Sequence, residues 1–552
     1  MINFFKRNFI KNLIQLLLST LLLFAFFEGV FRLFGASGGG RFIERIVIHE
    51  HLSLRKPKDE FRIFTYGEST MRGAHYSPVS SPARWLQVYL KDFLPDRKIR
   101  VVDFSRLGAG SDFVHRAFRD TIPYQPDLAL FYVGHNAFLP GNRKDQILTK
   151  RMKSRSRFNR WTRRSYFISG VYRWMIAWRS KFGPAVPEDK FEFSVIETPL
   201  PGVKLEDLIP RNNPSYLENI DFFRENILQI LTLGEKHKIP ILFFKPVCNL
   251  KDFAPTYSVH MKKLSAEELS QWEDLYEAGK RKQTQGNWNE AVELYTQAYT
   301  IDSTYADLSF RLGQAYFIKG SLAEARRLFE EARDNDALPV RTTKEILGVL
   351  EEFARAGKLT LIDTEKVLVS EAPGGILGEP IIEDNVHLSI KGHSLLGRLM
   401  AEKIAKRDWI APKSNWRFDR ARPYDEIAKE LGVSQHLQVS ADLRMVSYFG
   451  TRFENKIRFA KHALEIEPHN PRALRYLAWT YWMMGEKKKA LEVYRRLEQL
   501  DPSSLEEIFK AQPDIATAFK NISHRKLIHS PSFIVSEIQS AFLIFVAVRS
   551  IS

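Results

Sequence analysis

A serine at the end of a short apolar strand is the first candidate for chemistry in this sequence. Residues 61–70 read FRIFTYGEST, so the strand stops at a Gly-Glu pair immediately before Ser69. An ordinary turn explains this ending, but so does a strand that presents Ser69 as a nucleophile. Far along the chain, in EDNVHLSIKG, Asp384 and His387 stand three residues apart. This spacing lets one turn of chain place a carboxylate beside an imidazole.

The elements that must position these residues alternate between short apolar strands and helices. This alternation predicts a parallel α/β sheet, in which ligand sites form outside the carboxyl ends of the strands. Two further strand ends carry candidates: Gly108 in DFSRLGAGS and Asn136 in YVGHNAF. The predicted strands are 61–66, 99–104, 128–133, 240–245 and 359–363, and the predicted helices include 83–94 and 214–236.

Taken together, these blocks resemble the SGNH, or GDSL-type, hydrolase family. That family has a Gly-Asp-Ser block, a glycine block, a Gly-x-Asn block and an Asp-x-x-His block, in the order found here. The resemblance covers residues 60–262 and 335–405, and it implies a flavodoxin-like, three-layer α/β domain with a parallel sheet. Glu68 departs from the family pattern, because aspartate is usual before the serine, and Asp103 stands where many members have asparagine.

The resemblance also implies a role for each candidate residue. His387 would take the proton of Ser69, and Asp384 would hold the imidazole and stabilise the imidazolium. The backbone N–H groups of Ser69 and Gly108 and the side-chain amide of Asn136 would form the oxyanion hole. The expected enzyme is therefore a carboxylic ester hydrolase or an acyltransferase with a serine nucleophile.

The remaining histidines and the single cysteine give weaker signals. His75, His115 and His393 have no acid at a useful spacing, so the sequence favours surface or packing roles for them. His135 lies inside the asparagine block, where a substrate contact and a structural role are both open. No cluster of metal-ligating residues has convincing spacing, so we expect metal-free chemistry without a cofactor. Cys248 is the only cysteine, which excludes an intrachain disulfide.

The N-terminus predicts a membrane anchor. Residues 13–34 are long and apolar enough for one transmembrane helix, and Lys6, Arg7 and Lys11 precede it. Residues 1–12 are then cytoplasmic, and the catalytic domain lies on the extracytoplasmic or periplasmic side of the plasma (inner) membrane. A cleaved signal peptide is the competing interpretation. The long apolar run, with no clear cleavage site after it, favours the retained anchor.

Two helical segments repeat with a period of 34 residues. Gly286 recurs at Gly320 and Asp302 at Asp336, and the pattern resembles tetratricopeptide repeats. One set, at 263–338, interrupts the hydrolase, and a second lies at 440–510. The repeats are either spacers or a concave surface for a protein or glycan partner.

The chain also carries a basic, aromatic segment at 143–181, with thirteen Lys and Arg against one acid. Nucleic-acid binding, a solvated loop and an interfacial helix compete as interpretations. The predicted side of the membrane argues against nucleic acid. The aromatic residues favour a second membrane contact within 151–181. The C-terminal tail, 511–552, predicts a packing or interfacial helix and no second span.

These features give one domain plan for the 552 residues. The hydrolase comprises residues 60–262 and 339–410, which must close across the repeat insertion. The sequence predicts a membrane-anchored serine esterase or O-acyltransferase that acts on acyl esters, foremost acetyl, of cell-surface carbohydrate. A lipid esterase of the same fold and a non-catalytic scaffold that recruits partners through the repeats are the alternatives.

Overall fold

The computed structural model describes residues 49–139, 208–448 and 453–523, together with Ser19, Ile43, Ile46 and Val47. The chain divides into two compact units. Among the described residues, the first unit holds nearly everything up to 427, and the second holds 371–376 and the chain from 428 onward.

A five-stranded sheet forms the centre of the first unit. Its strands are β1 (Glu60–Gly67), β2 (Lys98–Asp103), β3 (Leu128–Tyr132), β4 (Ile241–Phe244) and β5 (Thr360–Ile362). The strand order is β2-β1-β3-β4-β5 and every pair is parallel. This is the flavodoxin-like order, and the predicted parallel α/β sheet is confirmed. Each predicted strand end lies within one residue of the observed end.

Among the described residues, four helices accompany the first strands along the chain. They are α1 (Ser69–Arg72), α2 (Pro82–Phe93), α3 (Ser111–Thr121) and α4 (Pro214–His237). The start of α2 is fixed by Ser81, whose hydroxyl accepts the backbone N–H of Arg84 at 3.3 Å. Proline follows at the first helical position, where its missing N–H costs no hydrogen bond.

The insertion between β4 and β5 consists of two helical hairpins. Its helices are α5 (Ala266–Thr284), α6 (Trp288–Ile301), α7 (Ala306–Ile318) and α8 (Leu322–Asp334). A Cβ at Gly279 would lie 2.5 Å from the ring of Tyr295, and one at Gly313 would lie 3.0 Å from the ring of Phe329. These pairs are 34 residues apart, so the sequence period reflects one glycine–aromatic crossing that occurs in each hairpin.

The chain then completes the sheet and covers it. Helix α9 (Lys344–Arg355) precedes β5, and α10 (Glu365–Leu368) and α11 (Ile390–Ala405) follow it. Residues of α3, α4 and α9 share one core with Phe64 and Tyr66 of β1. Helix α11 packs on α2, where a Cβ at Gly397 would lie 2.7 Å from Cβ of Trp85. Residues on both faces of β1 are buried, as expected for a parallel sheet between two helical layers.

The second unit is helical. The unit boundary falls within α12 (Tyr424–Leu431). The helices beyond it are α13 (Gln435–Tyr448), α14 (Phe453–Ile466), α15 (Pro471–Met483), α16 (Lys487–Leu500), α17 (Pro502–Ala511) and α18 (Pro513–Ser523). Ala463 of α14 and Ala473 of α15 are fully buried against Val439 and Leu443 of α13. Small residues again permit close helix packing.

Several predicted segments lie outside the described residues. These are the anchor at 13–34, apart from Ser19, the basic segment at 143–181 and the tail from 524 onward. Within the described ranges, no helix combines the length and apolar character needed to cross a membrane. The anchor and the interfacial segment therefore stay predictions.

Candidate active site

The strand order reverses between β1 and β3, and Ser69 follows β1 at that point. Ligand sites of open α/β sheets lie at such a reversal. The last residue of the strand, Gly67, has no room for a side chain, because a Cβ there would come within 2.6 Å of both Cβ of Met71 and the carbonyl oxygen of Tyr132. The chain can therefore turn at once into α1, which begins with Ser69. Only 9% of the Ser69 surface is exposed.

The three predicted triad residues meet at this position. The Oγ atom of Ser69 lies 2.7 Å from Nε2 of His387, and Nδ1 of the same ring lies 2.5 Å from Oδ2 of Asp384. The other oxygen, Oδ1 of Asp384, accepts the backbone N–H groups of Val386 and His387 at 2.9 and 2.7 Å. These two bonds fix the carboxylate so that its second oxygen faces the imidazole.

The carboxylate of Asp384 is fully buried, yet the site favours its charge. Burial alone would raise the pKa of Asp384. The attraction of His387 and the hydrogen bonds from His387 and His75 outweigh burial and hold this pKa well below its ordinary value. The Asp384 carboxylate is therefore ionised at neutral pH and can stabilise a protonated imidazole.

Gly108 and Asn136 lie in the loops after β2 and β3, at the same edge of the sheet as Ser69. The Nδ2 atom of Asn136 donates to the carbonyl oxygen of Ala109 at 2.9 Å, which ties the two loops together and orients the amide. Gly108 has φ +65°, in the left-handed region that glycine adopts without strain. The oxyanion role of these residues stays a prediction.

Glu68 organises the loop that carries Asn136. Its two carboxyl oxygens accept the backbone N–H groups of His135 at 2.8 Å and Asn136 at 3.3 Å. Burial raises the pKa of Glu68 to about 8, although the N–H donors of this loop lower it. Glu68, which stands where SGNH hydrolases usually have aspartate, thus provides a carboxyl group that links the end of β1 to the loop after β3.

Two distant segments, 69–80 and 383–393, are held together around the triad. We call these contacts the clasp. They include the bond between Ser69 and His387 and four others. The Thr70 hydroxyl donates to the carbonyl oxygen of Val386 at 3.2 Å, and Nε2 of His75 lies 3.1 Å from Oδ2 of Asp384. The Tyr76 hydroxyl donates to the carboxylate of Glu383 at 2.5 Å, and the Ser80 hydroxyl lies 3.0 Å from Nδ1 of His393. The clasp joins positions more than 300 residues apart in sequence, and it explains how the first unit closes across the insertion.

The clasp corrects the prediction for His75. The sequence suggested a surface or packing histidine without an acid, but Nε2 of His75 lies 3.1 Å from Oδ2 of Asp384, and its side chain is 5% exposed. Its partner is 309 positions away, so no local spacing could have revealed it. The rings of His135 and His393 are both buried: each pKa falls to about 3 because of burial, and their partners are Thr342 and Ser80.

Three of these side chains could also hold a metal ion. Within the described ranges, His75, Asp384 and His387 form the one group of this kind, with candidate ligand atoms all within 4.8 Å of each other. Their closest separations, 2.5 to 3.2 Å, are also those of hydrogen bonds. The arrangement therefore fits shared protons as well as a cation.

Comparison with known proteins identifies the repeats. Family models named Tetratricopeptide repeat match residues 283–339 and 471–504. Both predicted segments therefore contain tetratricopeptide repeats. No curated protein sequence matches the chain.

Solved structures resemble the chain at low identity. A GDSL-like lipase from Bacteroides thetaiotaomicron is 11% identical, with a TM-score of 0.29, over 66% of this chain and 99% of that one. An acetylxylan esterase from Geobacillus stearothermophilus is 12% identical, with a TM-score of 0.27, over 64% of this chain and 99% of that one. Scores this low carry no conclusion about activity, so the function proposed below depends on the side-chain geometry of the site.

Proposed function

We propose that this chain is a serine esterase or O-acyltransferase that uses Ser69, His387 and Asp384 as its triad. The observation that supports this most directly is the unbroken line of contacts from Oγ of Ser69 through the imidazole to the buried carboxylate, at 2.7 and 2.5 Å. A serine hydroxyl is a weak nucleophile until an adjacent base takes its proton, and this arrangement supplies the base and its orienting group.

The first half of the reaction transfers an acyl group to the enzyme. Oγ of Ser69 attacks the ester carbonyl while Nε2 of His387 takes the hydroxyl proton. Asp384 holds the proton on Nδ1 and stabilises the imidazolium. The developing oxyanion accepts hydrogen bonds from the backbone N–H groups of Ser69 and Gly108 and from the amide of Asn136. The leaving alcohol then takes the proton from Nε2.

The second half removes the acyl group from Ser69. A second hydroxyl enters, gives its proton to Nε2 of His387 and attacks the acyl carbon. The bond from that carbon to Oγ of Ser69 then breaks, and Nε2 returns the proton to Oγ. If the acceptor is water the enzyme is an esterase, and if it is a sugar hydroxyl the enzyme is an O-acyltransferase. We propose acetyl esters of cell-surface carbohydrate as substrates, and lipid esters as the second class.

The rest of the chain would place this chemistry at a membrane. Residues 13–34 would anchor the enzyme, with its catalytic domain outside the cytoplasm, and residues 151–181 would make a second contact with the bilayer. The tetratricopeptide repeats offer a surface for a protein partner. The anchored topology can be measured by protease protection in sealed vesicles, and full digestion of the catalytic domain from the cytoplasmic side would exclude it.

Turnover of p-nitrophenyl acetate by the full chain in detergent tests the activity. We expect Ser69→Ala to abolish turnover and to prevent covalent labelling by a fluorophosphonate. Ser105→Ala is the matched control, because this serine is also buried and its hydroxyl has no hydrogen-bond partner among the described residues. It should keep wild-type turnover.

The outcomes separate the three alternatives. Turnover and labelling that both require Ser69 support an esterase. Labelling without turnover supports a transferase that needs its own acceptor. Equal behaviour of the wild type and Ser69→Ala in both assays would remove the enzyme proposal and leave the scaffold.

A further inference from the structure

His75 contacts the triad on the side away from the nucleophile. Its Nε2 atom lies 3.1 Å from Oδ2 of Asp384 and 3.2 Å from Nδ1 of His387, and the two imidazole rings meet edge to face at 4.7 Å. Oγ of Ser69 approaches the opposite nitrogen of His387, so His75 does not lie between the nucleophile and its base.

We propose that His75 is a positioning residue: its Nε2–H donates to the carboxylate oxygen of Asp384 that also holds His387, and thereby fixes the imidazole for proton transfer. This inference rests on the proposed function. With His75 in place, Asp384 accepts four hydrogen bonds, two on each oxygen. Four is about the full acceptor capacity of a carboxylate. Removing the bond from His75 leaves this buried charge partly unsatisfied and leaves Oδ2 held by His387 alone.

The tautomers follow from this arrangement. Nδ1 of His387 must carry a proton for its bond to Asp384, so it cannot accept one from His75. The N–H of His75 is then directed to the oxygen, and the 3.2 Å approach of the two ring nitrogens is a consequence of two donors that share one acceptor. A neutral His75 is compatible with the imidazolium that forms at His387, whereas two charged rings at this distance would repel each other.

The backbone provides an independent indication. His75 has φ +75°, in the left-handed region that is uncommon for residues other than glycine. A packing role could be filled without this conformation. Here the left-handed turn brings the ring back to Asp384 only six positions after the nucleophile, while the next residue, Tyr76, bonds Glu383.

Among the described residues, His393 and Glu383 are two further titratable groups on the segments that carry Asp384 and His387. His393 is buried and its pKa falls to about 3, so it stays neutral, and Glu383 is bound by Tyr76. Asp384 and His387 are therefore the groups through which His75 would act.

Three substitutions at position 75 separate positioning from packing. His75→Gln keeps an N–H donor of similar reach, His75→Asn tolerates the left-handed backbone but is too short, and His75→Ala has no donor. We expect His75→Ala and His75→Asn to lower kcat for p-nitrophenyl acetate by about ten- to a hundredfold with little change in KM. His75→Gln should keep most of the wild-type kcat.

The opposite ranking, with the kcat of His75→Asn at or above that of His75→Gln, would overturn the inference. Activity lost with EDTA and restored by Zn²⁺ would also overturn it, because the three side chains would then be metal ligands. If the wild type itself is inactive, the proposed function fails, and ¹⁵N spectra of histidine-labelled full chain still decide on His75. A proton on its Nε2 would support the inference, and a proton on its Nδ1 would exclude it.

Discussion

Replacing Asp384 with asparagine should inactivate the enzyme through the wrong imidazole tautomer. Oδ1 of Asp384 accepts two backbone N–H groups, from Val386 and His387. In Asp384→Asn, the amide oxygen must occupy the Oδ1 position, because an NH₂ group there would face these two backbone N–H donors. The flipped amide leaves two backbone donors unsatisfied, against one, the N–H of His75, in this orientation. At about 1–3 kcal/mol for each buried unsatisfied donor, the flipped amide lies about 1–3 kcal/mol higher. The NH₂ group is therefore directed at Nδ1 of His387.

An NH₂ donor at this position favours His387 with its proton on Nε2. That nitrogen then donates to Ser69 and cannot accept the hydroxyl proton. The same exchange of carboxylate for amide costs about 10⁴-fold in the serine proteases, and we expect a comparable loss of kcat here, about 5.5 kcal/mol in the barrier.

Initial rates with p-nitrophenyl acetate, together with thermal unfolding, provide the measurement. Asp336→Asn is the matched control, since Asp336 is equally buried and accepts the N–H groups of Thr256, Tyr257 and Leu338 away from the triad. It should lower stability and leave kcat within a few-fold of wild type. A loss smaller than about tenfold in a folded Asp384→Asn protein would refute the tautomer argument.

Three further predictions concern other parts of the first unit. Asn136→Ala should lower kcat by about a hundredfold or more in the same assay, because it removes an oxyanion donor, and a wild-type kcat would exclude that role. The raised pKa of Glu68 means that its contribution to stability is complete below its ordinary pKa of 4.5 and is lost as pH rises to about 8. In denaturant titrations, the free energy of unfolding of the wild type should therefore fall by up to about 1.4 kcal/mol per pH unit over this window, relative to that of Glu68→Gln. A difference between the two proteins that stays constant with pH would contradict the raised pKa of Glu68. Gly279→Ala should destabilise the protein by about 1–3 kcal/mol, since its Cβ would meet the ring of Tyr295 at 2.5 Å, while turnover stays unchanged; an unaltered melting temperature would argue against this crossing.

The parallel sheet was predictable because its signals are local. Short apolar runs such as FRIFTY and LALFYV end at glycine-containing turns, and buried parallel strands have this composition. The repeats were predictable for a related reason: a 34-residue period records the same helix crossing twice. Both kinds of pattern can be recognised within one continuous stretch of the chain.

The closure of the site was only partly predictable. The types of Ser69, Asp384 and His387 indicated the chemistry, and the spacing of the last two is local. The positions of Glu68 and His75 depend on contacts with loops that arrive 67 and 309 residues later. No local pattern encodes these contacts, because they form only once the sheet has placed its strand ends together.

The clasp also sets the order in which the protein can become active during its synthesis. The nucleophile leaves the ribosome 318 residues before its base, a delay of about 15 to 60 s at ordinary elongation rates. Until then the chain contains a serine that cannot be deprotonated, and a nascent or truncated product that ends before Asp384 is chemically silent. The first repeat set, matched at 283–339, is complete before the base emerges, whereas the second, matched at 471–504, follows it, so the proposed site can close before the second set exists.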